Sequence, residues 1–217
     1  PITSGLGITG GFAKSVDAIF DRLGMRSRVT SSTDVTGFRE AVESGADIVM
    51  MSDDPTFVAY NTRENKFTDN SWGTAMGYAV CLKNAANGVE GKDVLVVGAG
   101  RVGAWAAEIL AGWGAEVKVT DIFFERAEAL ASVGATPLKN VEKAISENTL
   151  VINAAPYIIP GEIIAPGSII SSPGVPHYYD LEGRTRCKAI IHDPLEIGTA
   201  VMAVNSAAYT IKKEEQA

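Results

Sequence analysis

The stretch Val94-Leu95-Val96-Val97-Gly98-Ala99-Gly100-Arg101-Val102-Gly103 decides the fold. Four consecutive aliphatic residues form a strand apolar on both faces, as a strand in a parallel sheet must be. The glycines that follow have the spacing Gly-x-Gly-x-x-Gly, and each has a separate physical task. Gly98 permits the tight turn, Gly100 lets a diphosphate approach the backbone, and Gly103 lets helix and strand pack closely. A helix then runs through Trp113. Its N-terminus offers unpaired N–H groups and a partial positive charge, which suit an anion.

Downstream, Glu116 to Thr120 reads as a second strand, closed by Asp121. An acid there accepts hydrogen bonds from both ribose hydroxyls of an adenosine and repels a 2′-phosphate, so NAD is expected over NADP. Arg126 is the nearby cation able to accommodate that phosphate; Ile122 offers it nothing. The competing reading is a glycine-rich turn in another α/β fold, with Asp121 capping a helix.

Further strands are expected at Leu150–Asn153, Ser168–Ser171 and Lys188–His192. Ligands of such sheets lie at the carboxyl ends of the strands. Two strand exits are candidates for the nicotinamide end. Asn153-Ala154-Ala155-Pro156 leaves room for a ribose and ring, and Ser172-Pro173-Gly174-Val175-Pro176 presents backbone groups to the ring amide. Both could equally be ordinary Pro/Gly loop exits.

Working upstream, apolar residues at Phe12, Val16, Ile19, Phe20 and Leu23 give a helix ended by Gly24. Ser27–Thr30 reads as a short strand. Asp34–Ser44 reads as a helix with Phe38, Ala41 and Val42 inward, and Ala46–Met51 as a buried parallel strand. Phe57–Tyr60 is a further strand, and a long helix from about Ser71 to Asn87 connects two domains. The expectation is an α/β protein: a Rossmann NAD-binding domain plus a smaller N-terminal α/β domain. The domains are placed at 1–72 (substrate), 73–90 (connecting helix), 91–198 (Rossmann) and 199–217 (C-terminal helix and a tail frayed from Lys212). The first residue is Pro1, not Met, and Ile2-Thr3-Ser4-Gly5 reads as a strand end entering a loop, so further residues are expected upstream.

Formal net charge is −7 over 217 residues, which disfavours nucleic acid and anionic membrane as principal partners. No apolar run is long enough to span a bilayer. Two cysteines, Cys81 and Cys187, make no disulfide framework and fit a reducing, cytoplasmic setting. Cys81 and the tryptophans Trp72, Trp105 and Trp113 read as packing residues.

Outside the glycine loop, Asp53 and Asp54 follow the first-domain strand. A carboxylate there could anchor an alkylammonium and take its proton; alternatively, Asp before Pro55 simply forms a turn. Thr3-Ser4-Gly5-Leu6-Gly7 could grasp a substrate carboxylate through N–H groups and hydroxyls, or be a capped turn. His177 lies near the proposed nicotinamide loop, where it could donate a proton or simply face solvent. His177 and His192 lack a third ligand at metal-site spacing, so no metal is expected.

These segments together resemble the pyrrolysine biosynthesis dehydrogenases, the PylD family. The resemblance runs through Pro1–Gly7, Asp34-Val35-Thr36-Gly37, Glu40-Ala41-Val42, Met51–Phe57 with Asn61, the glycine loop, Ser172–Pro176 and Pro194–Ala200. It implies an overall fold similar to the amino-acid dehydrogenases, and NAD⁺-dependent oxidation of the terminal primary amine of lysine-Nε-3R-methyl-D-ornithine. The product is an imine or semialdehyde that cyclises to the pyrroline ring of pyrrolysine. It further implies substrate contacts from Ser4, Asp53 and Asn70, and a helical segment upstream of Pro1 that helps close the substrate site. The cofactor contacts expected are Gly98, Gly100, Arg101, Val102, Gly103, Asp121, Ala154, Ala155, Pro156 and Pro173. The alternatives are another amino-acid or opine-type dehydrogenase and a non-catalytic NAD-binding module. The alanine-rich last helix could pack in a homodimer.

Overall fold

The computed structural model describes residues 1–214, with side chains through Ile211. The chain divides into two compact units. The first comprises Pro1–Gly73 with Leu195–Ala217, and the second Thr74–Pro194.

The first unit contains α1 (Phe12–Arg22), α2 (Asp34–Glu43) and three strands, β1 (Ile48–Ser52), β2 (Phe57–Asn61) and β3 (Lys66–Asp69). These form an antiparallel sheet in the order β1-β2-β3. Helix α3 (Asn70–Ala85) begins in this unit, and α8 (Glu196–Glu214) packs on its sheet. Val16 and Phe20 of α1 and Ala203 of α8 form a small core, joined by Met50, Phe57 and Leu195. Asn61 is fully buried and fastens α8 by donating to Ser206 O at 2.8 Å.

Several local expectations fail here. Ser27–Thr30 carries no strand, nor does Ile2–Gly5. Strand β1 is antiparallel, not parallel, because the link from Ser52 to Phe57 is a short hairpin and a parallel partner needs a crossover of a dozen or more residues. Val42 is 42% exposed, and the buried positions of α2 are Gly37 and Ala41. Gly37 lies so close to the backbone of Ser32 that a Cβ would collide with it, so a face of small residues does the packing. Strand β3 escapes the sequence pattern because its four residues carry only one large apolar side chain, Phe67, which is exposed. Helix α8 starts earlier and continues further than its alanine-rich centre. The expected frayed tail is helical through Glu214, and residues 215–217 lie outside the described part.

The second unit is built on β4 (Asp93–Val97), α4 (Arg101–Gly112), β5 (Glu116–Thr120), α5 (Phe124–Ala129), β6 (Thr136–Leu138), α6 (Val141–Glu147), β7 (Leu150–Asn153), β8 (Ser168–Ser171), α7 (Leu181–Arg186) and β9 (Cys187–Ile191). All six strands are parallel, in the order β6-β5-β4-β7-β8-β9. The chain winds outward from β4 to β6, then reverses through β7 to β9. This is the doubly wound Rossmann order, with its switch point between β4 and β7. Val94, Leu95 and Val96 are all fully buried, as a central parallel strand requires. One core gathers Leu95, Val97, Ile145, Val151, Ile159, Ile164, Ile170 and Tyr179. Trp105 on α4 is 40% exposed and so is not the packing residue expected. Among the described residues, no helix is long and apolar enough to cross a membrane.

Candidate dinucleotide site

The glycine loop sits where the strand order reverses. Gly98 has φ +93°, which disfavours any side chain, and a Cβ on it would come within 2.9 Å of Ala155. Its N–H donates to Thr120 O of β5 at 2.8 Å, while Ala154 N–H donates to Val97 O at 2.8 Å. The exits of β4, β5 and β7 are thereby stitched together.

Gly103 is needed for a different reason. A Cβ there would overlap the Gly98 carbonyl oxygen and lie 2.9 Å from its carbonyl carbon. Gly100 contrasts with both. Its φ of −76° is ordinary, and nothing lies within 4 Å of where its Cβ would point. Open space at that position, beside the uncapped N-terminus of the 12-residue helix α4 with no acid in its first turn, fits a diphosphate. The residues present therefore fit the dinucleotide that the motif implies. Gly98, Gly100, Arg101, Val102 and Gly103 all lie on this loop or in the first turn of α4.

Asp121 leaves β5 and braces the loop. One carboxylate oxygen accepts from Ala99 N–H at 2.7 Å, and the other from Phe123 N–H at 2.8 Å. Each oxygen keeps a second lone pair for a further donor. Arg126 lies with its guanidinium 4.6 Å over the Phe123 ring.

The exits of β7 and β8 meet beside the loop. Gly174 N–H donates to Asn153 O at 3.0 Å, and Ala155 leaves no room for a Cβ on Gly174. Ala154, Ala155, Pro156 and Pro173 thus gather at one end of the sheet. Two polar side chains, Asn153 and Tyr179, are buried at the same end. Burial drives the Tyr179 phenol upward, so it stays protonated. Tyr179 escaped sequence reading because it stands in an irregular loop with no periodicity to mark it. His177 is half-buried and stacked on His192, not turned to solvent as the plainer expectation had it.

The remaining candidates belong to the first unit. Asp53 is exposed and closes the β1–β2 turn, accepting from Thr56 N–H at 2.9 Å. Asp54 accepts from Leu6 N–H with both oxygens, at 3.1 and 2.9 Å. Asp34, at φ 55°, accepts from Thr3 N–H at 2.7 Å and from the Thr3 hydroxyl at 2.9 Å. That backbone bond, helped by the Thr33 and Thr3 hydroxyls, lowers the Asp34 carboxyl below its ordinary value. The Thr3–Gly7 loop does hold carboxylates, but they are the chain's own. With Thr3 and Leu6 N–H groups so used, they are no longer available to grip a substrate carboxylate. Ser4 is exposed on this loop, and Asn70 is half-buried at the start of α3.

A cavity of about 830 Å³ in the first unit is lined by apolar chains such as Val16, Phe20, Met50 and Phe57 together with charged ones, Arg26, Arg28 and Arg63 among them. It includes none of Ser4, Asp53 or Asn70.

The switch-point geometry and the glycine cradle define a dinucleotide-binding protein of the Rossmann class. Residues 1–68 match the family model for the N-terminal domain of the pyrrolysine biosynthesis protein PylD. Residues 70–170 match that for the C-terminal domain of alanine dehydrogenase/PNT. The pyrrolysine synthase of Methanosarcina barkeri is 35% identical over 212 residues, spanning 93% of this chain and 77% of that protein. The Methanosarcina acetivorans protein is 36% identical over 210 residues, spanning 93% and 78%. Shikimate 5-dehydrogenase from Thermus thermophilus shares the fold, with TM-score 0.64 and 19% identity over 92% of this chain and 89% of that one. The chain belongs to the pyrrolysine synthase (PylD) family of dehydrogenases.

Proposed function

We propose that this enzyme oxidises the terminal primary amine of lysine-Nε-3R-methyl-D-ornithine with NAD⁺, completing pyrrolysine. The observation that carries this reading is the joining of a dinucleotide cradle to a PylD N-terminal domain in one chain. NAD⁺, when bound, supplies the two-electron acceptor for a hydride.

The chain's own residues supply position and charge. Gly100 and the α4 N-terminus seat the diphosphate. Asp121, already fixed by two backbone donors, uses its remaining lone pairs for the adenosine ribose and repels a 2′-phosphate. Ala154, Ala155, Pro156 and Pro173 form the nicotinamide end. Ser4, Asp53 and Asn70 bind substrate. The amine must shed its ammonium proton before the carbon beside it can release hydride. Asp53 anchors the ammonium, and the proton leaves through the carboxylate oxygen not bound to Thr56. The carbon–nitrogen bond becomes an iminium; water converts it to the semialdehyde with release of ammonia. The α-amine then attacks the carbonyl, and loss of water closes the ring.

The test is NADH absorbance on mixing enzyme, NAD⁺ and the lysine–methylornithine isopeptide. The expected result is rapid NADH formation, weaker reaction with NADP⁺, and none with lysine or ornithine. NADH formation with simple amino acids alone would reassign the enzyme to general amino-acid oxidation, and tight NAD⁺ binding without turnover of any amine would make it a binding module.

A further inference from the structure

Two histidines at the carboxyl end of the parallel sheet have no part in the reading above. His177 follows β8 and His192 follows β9; their rings stack face to face, with centroids 3.6 Å apart and planes within 1° of parallel. His192 Nδ1 lies 2.7 Å from Ser172 O. A carbonyl can only accept, so this nitrogen carries a proton and the ring donates. Ser172 N–H donates in turn to Ile191 O at 2.8 Å. Ser172 is therefore held on both sides of its backbone, directly ahead of Pro173 and Gly174. Gly174 is itself packed on Ala155 and Asn153.

His177 covers one face of the His192 ring and is held in turn by the edge of Tyr179, with centroids 5.2 Å apart. Its Nδ1 is buried and has no partner among the described residues. No hydrogen bond from that atom explains its place; stacking on His192 does.

We propose that His192, braced by the stacked His177, is the positioning residue of the nicotinamide end, fixing the Ser172 carbonyl and with it the Pro173–Gly174 turn. This rests on the placement of the nicotinamide given above.

The stack has a limited charge capacity. Two imidazolium rings at 3.6 Å repel strongly, so the pair stays together only while at least one ring is neutral. The groups facing it are Tyr179 and Arg184 on the α7 side, Asp193 beside His192, and Tyr78 of α3, whose hydroxyl bonds to the Asp193 backbone. Burial, then His192, then Arg184 hold His177 below the ordinary imidazole range. For a base so depressed, the neutral arrangement is fully present above about 6.5 and is lost as pH falls through the lowered value. Acidification charges His177, and once both rings carry charge the pair splits and Ser172 loosens.

The experiment is equilibrium binding of NADH, read by its fluorescence, together with KM for NAD⁺ and kcat, across pH 5 to 8. His192→Phe is expected to weaken dinucleotide binding about 3- to 10-fold at neutral pH, the cost of one lost hydrogen bond, with kcat changed far less than KM. His192→Asn, whose amide N–H can reach the same carbonyl, is expected to restore it. His177→Phe keeps a stacked ring but removes a titrating one, so the weakening that wild type shows in acid should disappear. Should His192→Phe fail to fold, the comparison of wild type with His177→Phe decides alone. An acid limb identical in wild type and His177→Phe, or binding blind to His192→Phe, overturns the positioning role while leaving the cofactor site intact. Absence of NADH binding by the wild-type enzyme at any pH overturns both.

Discussion

Alanine at Gly100 and alanine at Gly103 should do opposite things, although both replace a glycine of one motif. At Gly100 the backbone, with φ −76°, is one alanine adopts freely, and nothing lies within 4 Å of the new methyl. The variant should fold as well as wild type or better, by about 0.4–1 kcal/mol, because alanine restricts the unfolded chain. The methyl does occupy the space assigned to the diphosphate. A diphosphate pushed off the helix N-terminus loses charge-assisted hydrogen bonds worth about 1.5–3 kcal/mol each. Losing one such bond weakens NAD⁺ about 10- to 150-fold. At Gly103 the Cβ would stand 2.9 Å from the Gly98 carbonyl carbon and overlap its oxygen. Strand, turn and helix must separate, at a cost of about 3 kcal/mol or more. That corresponds to a fall in Tm of roughly 6–12 °C. The assay is paired: thermal unfolding and NADH fluorescence titration on each variant. Wild-type affinity in Gly100→Ala would refute the seating of the diphosphate at this helix, and wild-type Tm in Gly103→Ala would refute the close strand–helix approach.

Asp121→Ala strands the half-buried Ala99 N–H, so it should cost about 1–3 kcal/mol of stability, weaken NAD⁺, and narrow the preference over NADP⁺; an unchanged cofactor ratio would leave Asp121 as a brace alone. Asp53→Asn keeps an oxygen for the Thr56 N–H and so should fold normally, bind NADH as wild type, and lose most turnover; unaltered kcat/KM would remove Asp53 from the mechanism. Asp54→Ala frees the Leu6 N–H and the Ser4 loop, so KM for the amine should rise while KM for NAD⁺ stays put; a rise in both would contradict that division of labour.

The glycine loop was legible because its signal is local. An apolar strand, a fixed glycine spacing and a helix start are all encoded within ten residues, and the structure places Gly98 and Gly103 under the close contacts the spacing implies. Asp121 was legible as the acid ending β5, but its bonds to Ala99 and Phe123 were not, since they depend on how two loops meet in space. The same holds for Asp34 and Asp54. Each reads as an ordinary turn or helix-start acid, and their grip on Thr3 and Leu6 joins positions far apart in the chain. The antiparallel pairing of β1 was missed because an apolar run shows burial without direction; the short hairpin to Phe57 was the deciding clue. His177 and His192 were weighed as separate residues, and only parallel strands β8 and β9, running side by side, bring their rings together.

The central claim, that the carbon bearing the terminal amine surrenders hydride to NAD⁺, has a direct test. The isopeptide is prepared with deuterium on that carbon, the reaction run to completion, and NADH and product analysed by mass. The account predicts one deuterium in the reduced nicotinamide for each pyrroline ring formed, together with a primary isotope effect on the chemical step. NADH free of deuterium, or label released to water, would contradict it.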